Sequence, residues 1–488
     1  MVASEATPWA KTGGLADVVA ALPTALGSLG HRVTTILPKY RGVRADVGVR
    51  LERGVRVGPT EYTVGCETVD LSPRRRAVFI DYPPYFDRDG IYGVGGRDYA
   101  DSAQRYALLA TAALDVAAAD LASWPADVIH AHDWQGGLAP ALLALTPGRW
   151  PALLQSARVF TIHNLAYQGL FPRDVVPAVG LPWRAFDIAG GEFWGQFSYL
   201  KAGINYADRI TTVSPRYAEE ILTPAFGVGM EGVLQARRHR FQGILNGIDT
   251  AVWDPQTDPH LPAHFGPGDL AGKRVCKRAL LERVGLPVGD DALERPLIGL
   301  VSRLVAQKGL DLVEGAATAL MALDAAWVFV GSGEPRFEGF LKRLAAAHPS
   351  RVAAVIGFDE SLAHLVEAGS DMFLMPSHFE PCGLNQMYSL RYGTVPIVRA
   401  VGGLDDTIQP YTARAVKANG FKFHDATPDA LARTVRQAVR LYRDKERWHP
   451  LIEQGMAEDH SWARSAREYV KVYRRARLDA AARSGLTS

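Results

Sequence analysis

The chain has 488 residues, 48% of them hydrophobic and 22% charged, a balance typical of folded proteins and unlike disordered or collagen-like chains. Single hydrophobic cores stop growing at about 250–300 residues, so two domains are the default. Lys and Arg total 54 against 52 Asp and Glu, a formal net charge of +2, and nothing in that balance calls for nucleic acid or an anionic membrane as partner.

In chain order, Val2-Ala3-Ser4-Glu5 leaves the first strand almost no length and puts an acid where a signal peptide carries basic and apolar regions. With three widely spaced cysteines (Cys66, Cys276, Cys382) and no run of about 18 apolar residues, the expectation is a cytoplasmic chain without a disulfide framework or membrane span. Lys11-Thr12-Gly13-Gly14-Leu15-Ala16-Asp17 then opens a helix. Its paired glycines let backbone approach a ligand and its free N–H groups suit an anion, although an ordinary turn with a solvated lysine fits equally simple rules. Residues 50–82 alternate around Gly and Pro turns and are expected to form an antiparallel excursion. Asp87-Arg88-Asp89 has metal-site spacing but lies in a turn-rich loop, which favours a loop acid pair.

Three short apolar runs follow: Val128-Ile129 into His130-Ala131-His132-Asp133, Val159–Ile162 into His163-Asn164, and Ile210–Val213 into Ser214-Pro215. Seven aromatics between Trp183 and Tyr206 suit either a sugar-packing surface or a pair of core helices. The turn-rich stretch 247–275 marks a domain boundary. The strand pattern then restarts at Leu297–Val301, Trp327–Gly331, Val352–Ile356, Met372–Met375 and Val395–Val398, and Leu310, Val313, Ala317 and Leu320 mark one helical face. Apolar runs without polar alternation, joined by helical patterns, predict parallel sheets covered on both faces. Residues from Trp462 to Ala482 read as a basic amphipathic helix.

Open α/β sheets bind ligands beyond the carboxyl ends of their strands. Arg303 and Lys308 follow the strand at Leu297–Val301, where a diphosphate would sit, although a solvated face is the alternative. Phe379-Glu380-Pro381-Cys382-Gly383-Leu384-Asn385-Gln386 also follows a strand, and a carboxylate fixed before Pro can accept paired sugar hydroxyls. Cys382 reads as a small buried residue. Gly331-Ser332-Gly333-Glu334-Pro335-Arg336 starts like a dinucleotide fingerprint but has Arg336 where the third Gly belongs, which disfavours a dehydrogenase.

Taken in order, KTGGLADV, HAHDWQ (130–135), TIHNLAYQG (161–169), YLKAGINYADRITTVSPRYA (199–218), GILNGID (243–249), SRLVAQKG (302–309) and HFEPCGLNQMYSLRYGTVPIVRAVGGLDDT (378–407) resemble the bacterial glycogen synthase family, the starch synthase type of retaining glucosyltransferase. The resemblance covers nearly the whole chain. It implies a GT-B fold, two Rossmann-like domains with parallel sheets facing a deep interdomain cleft. The expected division is an acceptor-side domain at 1–247, a linker or hinge at 248–275, a nucleotide-sugar domain at 276–460, and a final helix at 461–488 crossing back. The implied reaction is transfer of glucose from ADP-glucose to the nonreducing 4-hydroxyl of an α-1,4-glucan such as glycogen, with retention and without metal or other cofactor.

Carried over by motif, the resemblance implies catalytic roles for Glu380, His163, Lys308, Arg303 and Asp133. It implies substrate binding by Lys11, Gly13, Gly14, Tyr99, Asn164, Asn246, Cys382, Gly383 and Leu384. No quoted motif separates ADP-glucose from UDP-glucose, and a noncatalytic glucan-binding protein is disfavoured by intact Lys11, Arg303, Lys308 and Glu380. If Lys11 and the later groups serve one donor, closure about 247–275 is expected on binding. Exchange of Glu380 for Gln is expected to cost turnover with little change in stability.

Overall fold

A computed structural model describes residues 1–44, 48–120, 124–415 and 417–485. The chain divides into two compact units, Met1–Gly247 with Trp462–Ser488, and Ile248–Ser461. Among the described residues no helix is long and apolar enough to cross a membrane.

In the first unit, strands Val128–His132, Ala157–Ile162, Arg209–Thr212 and Phe241–Gly243 pair in parallel in that order. Strands Val49–Val57, Thr60–Ser72 and Arg75–Asp81 form the antiparallel excursion expected from their alternation, and Arg75–Asp81 turns back in parallel onto Val33–Pro38. Val2 joins the two halves. Its N–H donates to the His130 carbonyl (2.8 Å) and its carbonyl accepts from His132 N–H (3.0 Å), while Ala3 N–H reaches the Ile36 carbonyl (3.2 Å). The almost lengthless first strand is therefore one residue of ladder between strands Val33–Pro38 and Val128–His132.

Helix Gly14–Ser28 buries Val18, Leu22 and Leu26, one face at four-residue spacing. Helix Trp462–Gly485 lays Trp462, Ala466, Tyr469, Val472, Ala476 and Ala480 into the same cluster, at the three-to-four-residue spacing of a single stripe. Asp479 pairs with Arg209 at 2.7 Å and Arg483 pairs with Asp208, which fixes the helix across the sheet.

The second unit holds one six-stranded parallel sheet, in the order Val352–Ile356, Ala326–Gly331, Leu297–Val301, Met372–Met375, Val395–Arg399, Phe421–Phe423. Its first strand, Leu297–Val301, lies inside the sheet, and the later strands add on one side and then on the other. On helix Leu310–Met321 the buried face runs through Leu310, Leu312, Val313, Ala316 and Leu320, with Ala317 only partly covered, because a 3.6-residue turn places 316 nearer the stripe centre. Residues 248–275 are fastened to this unit. Trp253 stacks between His364 and Tyr388 (both 3.8 Å between centroids), and Asp258 accepts hydrogen bonds from His364 (2.7 Å) and Tyr392.

The aromatic stretch is not a helix pair. Short antiparallel strands Glu192–Phe193, Gln196–Ser198 and Leu170–Pro172 precede helix Tyr199–Tyr206, and Gly195 at the hairpin supplies the turn. Phe197 and Tyr199 are core, whereas Trp183 and Trp194 are exposed.

The Val2 junction gives a direct test. Val2→Pro removes the N–H that satisfies the buried His130 carbonyl, so the variant should lose about 1–3 kcal/mol. Thermal unfolding should show a lower first transition for Val2→Pro and an unchanged one for Val2→Ile.

Candidate active site

In each unit some of the candidate residues lie at the carboxyl ends of strands where the sheet reverses its direction of growth. Such a switch point opens a crevice, because the loops leaving the two neighbouring strands diverge. In the second unit it falls between Leu297–Val301 and Met372–Met375, and the loops that leave these strands carry Lys308 and Glu380. In the first unit it falls between Val2 and Val128–His132, whose loops carry Lys11–Gly14 and Asp133.

In the second unit Lys308 Nζ donates to Glu380 Oε2 at 2.6 Å, and Ser377 Oγ donates to the same oxygen at 2.9 Å. Glu380 is 6% exposed, so the pair is largely withdrawn from water. Two glycines hold these loops in place. Gly309 has φ +74° and a Cβ there would lie 2.1 Å from the Pro376 carbonyl oxygen, so only glycine lets the lysine loop lie this close to the glutamate loop. A Cβ at Gly402 (φ +43°) would lie 1.9 Å from the Glu380 carbonyl oxygen. Gln386 donates to the carbonyls of Cys382 (3.1 Å) and Gly383 (3.0 Å), closing the turn before helix Asn385–Arg391. Cys382 is buried, while Gly383 and Leu384 are half-exposed. Arg303 is exposed and reaches Gln307 at 3.4 Å.

In the first unit a second constellation forms. Asp133, held at φ +50°, accepts from the backbone N–H of His163 (2.7 Å) and of Asn164 (3.4 Å) through Oδ1. Burial pushes its carboxyl up to about 7, against the opposing pull of those two N–H groups. His163 Nε2 meets His132 Nδ1 at 3.0 Å, and burial brings His163 down to about 3 and His130 and His132 well below the usual range. All three imidazoles are therefore neutral near pH 7. Asn164 Oδ1 accepts from Ala166 N–H (3.1 Å), and Leu165 N–H donates to the Tyr217 hydroxyl (3.1 Å), which fixes the loop after Ile162.

Lys11 is exposed and pairs with Asp17 at 2.7 Å. A surface pair of this kind is worth at most about 1 kcal/mol, so an anion can displace it easily. A Cβ at Gly13 or Gly14 would meet nothing within 4 Å, so packing among the described residues does not call for glycine there, and the open backbone suits a close ligand. The turn itself is held by Glu5, 2% exposed, which accepts from Thr12 N–H, Thr12 Oγ1 (2.6 Å), Gly13 N–H (3.3 Å) and the Tyr92 hydroxyl. Tyr99 N–H donates to the Tyr92 carbonyl (3.1 Å), and its ring lies near the guanidinium groups of Arg88 and Arg105. Asn246 is buried with Oδ1 unpaired among the described residues.

The structure thus brings Asp133, His163 and Asn164 together, and separately Lys308 and Glu380. Among the described residues, Arg303, Lys11, Tyr99 and Asn246 show no direct hydrogen bond or ion pair to another candidate residue. Asp87 and Asp89 both bind Arg41, which agrees with a loop acid pair. Arg336 pairs with Glu314 at 2.7 Å. Sequence reasoning missed Glu5, Ser377, Gly402 and His132. The Gly402-Gly403 dipeptide after a strand was a usable signal, whereas Glu5, seven residues before its partner Thr12, gave none.

The starch synthase catalytic domain model matches residues 1–236 and the glycosyl transferases group 1 model matches residues 289–454. The chain is 52% identical to a glycogen synthase of Anaeromyxobacter dehalogenans (strain 2CP-C), over 97% of this chain and 98% of that one. It is 45% identical to a glycogen synthase of Koribacter versatilis (strain Ellin345), over 97% of each. Among solved structures, the catalytic domain of starch synthase IV from Arabidopsis thaliana, bound to ADP and acarbose, superposes with a TM-score of 0.86 at 33% identity, covering 97% of this chain and 98% of that chain. With two Rossmann-like units of parallel strands, matching family models in both units and half its residues identical to those of full-length relatives, the chain belongs to the GT-B glycogen and starch synthase family of retaining glycosyltransferases.

Proposed function

We propose that this chain transfers glucose from ADP-glucose to the nonreducing 4-hydroxyl of an α-1,4-glucan, with retention, in the cytoplasm. The observation that carries the reading is the Lys308–Glu380–Ser377 cluster at the switch point of the second sheet. Breaking the glucose–phosphate bond develops positive charge at the anomeric carbon and negative charge on the departing ADP. Arg303 and Lys308 serve the leaving diphosphate, the first as a fork and the second as a compact charge, and Lys11 contributes a further cation. Glu380 and the half-exposed backbone after Cys382 orient the glucose. His163 and Asp133 serve the sugar, and the unpaired Asn246 Oδ1 is suited to a hydroxyl donor. Three buried thiols suit a reducing compartment.

Retention with a carboxylate nucleophile would need an accessible, ionised oxygen aimed at the sugar. Asp133 has one oxygen engaged by two backbone N–H groups and a carboxyl raised to about 7. One Glu380 oxygen is engaged by Lys308 and Ser377. These engagements favour a front-face route, in which the departing phosphate helps deprotonate the acceptor. Mass spectrometry after rapid quench should find no glucosyl adduct on either residue, and an adduct would overturn the route. Initial rates on glycogen should be far higher with ADP-glucose than with UDP-glucose, and equal rates would contradict the donor assignment.

Glu380→Gln should lower kcat by about 10²–10³. The buried pair alters the expectation for stability. Removing one partner leaves Lys308 uncompensated, so the melting temperature should fall as well, and Lys308→Met should lower it less when combined with Glu380→Gln than the two single effects added. Wild-type kcat in Glu380→Gln would remove the residue from the reaction.

Asp133→Asn keeps the acceptor oxygen and a residue tolerant of positive φ. Because the folded carboxyl titrates near 7 and the unfolded one near 3.8, folded wild type loses stability as pH rises between those values. Asp133→Asn should therefore gain in melting temperature over wild type more at pH 8 than at pH 5, while its kcat falls.

A further inference from the structure

The unexplained feature of the first unit is a layer of three imidazoles beneath the sugar-side loop. His130 is held at both ring nitrogens, by the Tyr473 hydroxyl at Nδ1 (2.9 Å) and Thr161 Oγ1 at Nε2 (2.6 Å). Its ring lies against His132, with centroids 4.1 Å apart and planes 36° apart. His132 in turn meets His163, Nδ1 to Nε2 at 3.0 Å, and that contact is the one hydrogen bond of the His163 ring among the described residues. The remaining nitrogen of His132, Nε2, is fully buried and has no partner among the described residues.

That orphan nitrogen decides which way the His132–His163 bond runs. Both rings are neutral, so a single proton lies between the facing nitrogens, and two arrangements exist. If His163 Nε2 donates, the proton of His132 sits on Nε2, a buried N–H without an acceptor. If His132 Nδ1 donates, Nε2 carries only a lone pair. Orphaned buried N–H groups are rarer and costlier than under-satisfied acceptors. In the favoured arrangement His163 is saturated at Nε2 and carries its own proton on Nδ1.

We propose that His132 is a positioning residue that donates from Nδ1 to His163 Nε2, fixing His163 as the Nδ1–H tautomer, so that His163 serves transfer as a neutral hydrogen-bond donor to an oxygen of the glucose and not as a general base. The inference rests on the reading that His163 faces the transferred sugar. It assigns a task to His132, which touches no substrate itself. Layered behind it, His130 and Tyr473 of the last helix keep the ring from tilting.

Two variants and one spectrum test this. Phenylalanine at 132 fills the ring space without a donor, whereas the Asn amide nitrogen, the same number of bonds from the backbone as Nδ1, can donate to His163. His132→Phe should lower kcat about 100-fold, the scale of a misplaced reacting group, while His132→Asn stays within about threefold of wild type. ADP affinity should be unchanged in both, because His132 makes no contact among the described residues with Arg303, Lys308 or Lys11, the cations proposed to serve ADP. A merely structural role would move both variants together, or lower ADP affinity and melting temperature with kcat; either result, or wild-type kcat in His132→Phe, overturns the proposal. In wild-type protein labelled with [15N]histidine, with His163 signals assigned by difference from His163→Gln, long-range 1H–15N correlation should show Nδ1 protonated and Nε2 unprotonated. The opposite tautomer overturns the proposal even if His132→Phe does not fold. Failure of wild type to use ADP-glucose would instead overturn the reaction assignment, while the tautomer read from the spectrum would still stand.

Discussion

A parallel sheet whose first strand ends up inside it must grow in two directions, and at that reversal the loops above neighbouring strands part. Two groups of candidate residues in this chain are placed by that constraint, one in each unit. In the second unit Leu297–Val301 is the interior strand, and the loops beside the reversal deliver Lys308 and Glu380 to within 2.6 Å of each other. In the first unit the interior strand is reduced to Val2, and the loops beside it deliver the Lys11–Gly14 turn and Asp133. Sheet topology thus places the candidate residues and also leaves room beside them.

Placing charge at such a crevice takes it out of water, and the structure answers with fixed partners. Glu380 has Lys308 and Ser377, Glu5 has the Thr12–Gly13 backbone and Tyr92, and Asp133 has two backbone N–H groups. Where burial outweighs the partners, protonation shifts instead, as in the three neutral histidines and the raised Asp133 carboxyl. The contrast with Lys11 is informative. Exposed and held by one surface pair, it remains available to a ligand, whereas the buried groups are preorganised.

Much of this was legible because the signals were local. Apolar runs ending in Gly, His or Ser marked parallel strands, and motifs directly after them marked crevice loops, so Lys308 and Glu380 could be named from the residues themselves, while His163 and Asp133 were named through the family resemblance. What escaped was non-local. Nothing adjacent to Glu5 indicates that it folds back onto Thr12, and nothing in HAHDW separates the histidine that supports His163 from its neighbour packed against Tyr473. The aromatic stretch at 183–206 left two readings open for a different reason. Aromatics pack in half-buried strands and helices alike, so their number alone does not reveal the hairpin that turns at Gly195 ahead of helix Tyr199–Tyr206.

The proposed role of the Lys308–Glu380 crevice is to receive the donor diphosphate and its sugar. Calorimetric titration of ADP into wild type, Arg303→Ala and Lys308→Ala tests it most directly. Each variant should bind ADP at least about tenfold more weakly, the loss of a charge-assisted phosphate contact, and the difference should narrow as salt is raised. ADP affinity equal to wild type in both variants would contradict it.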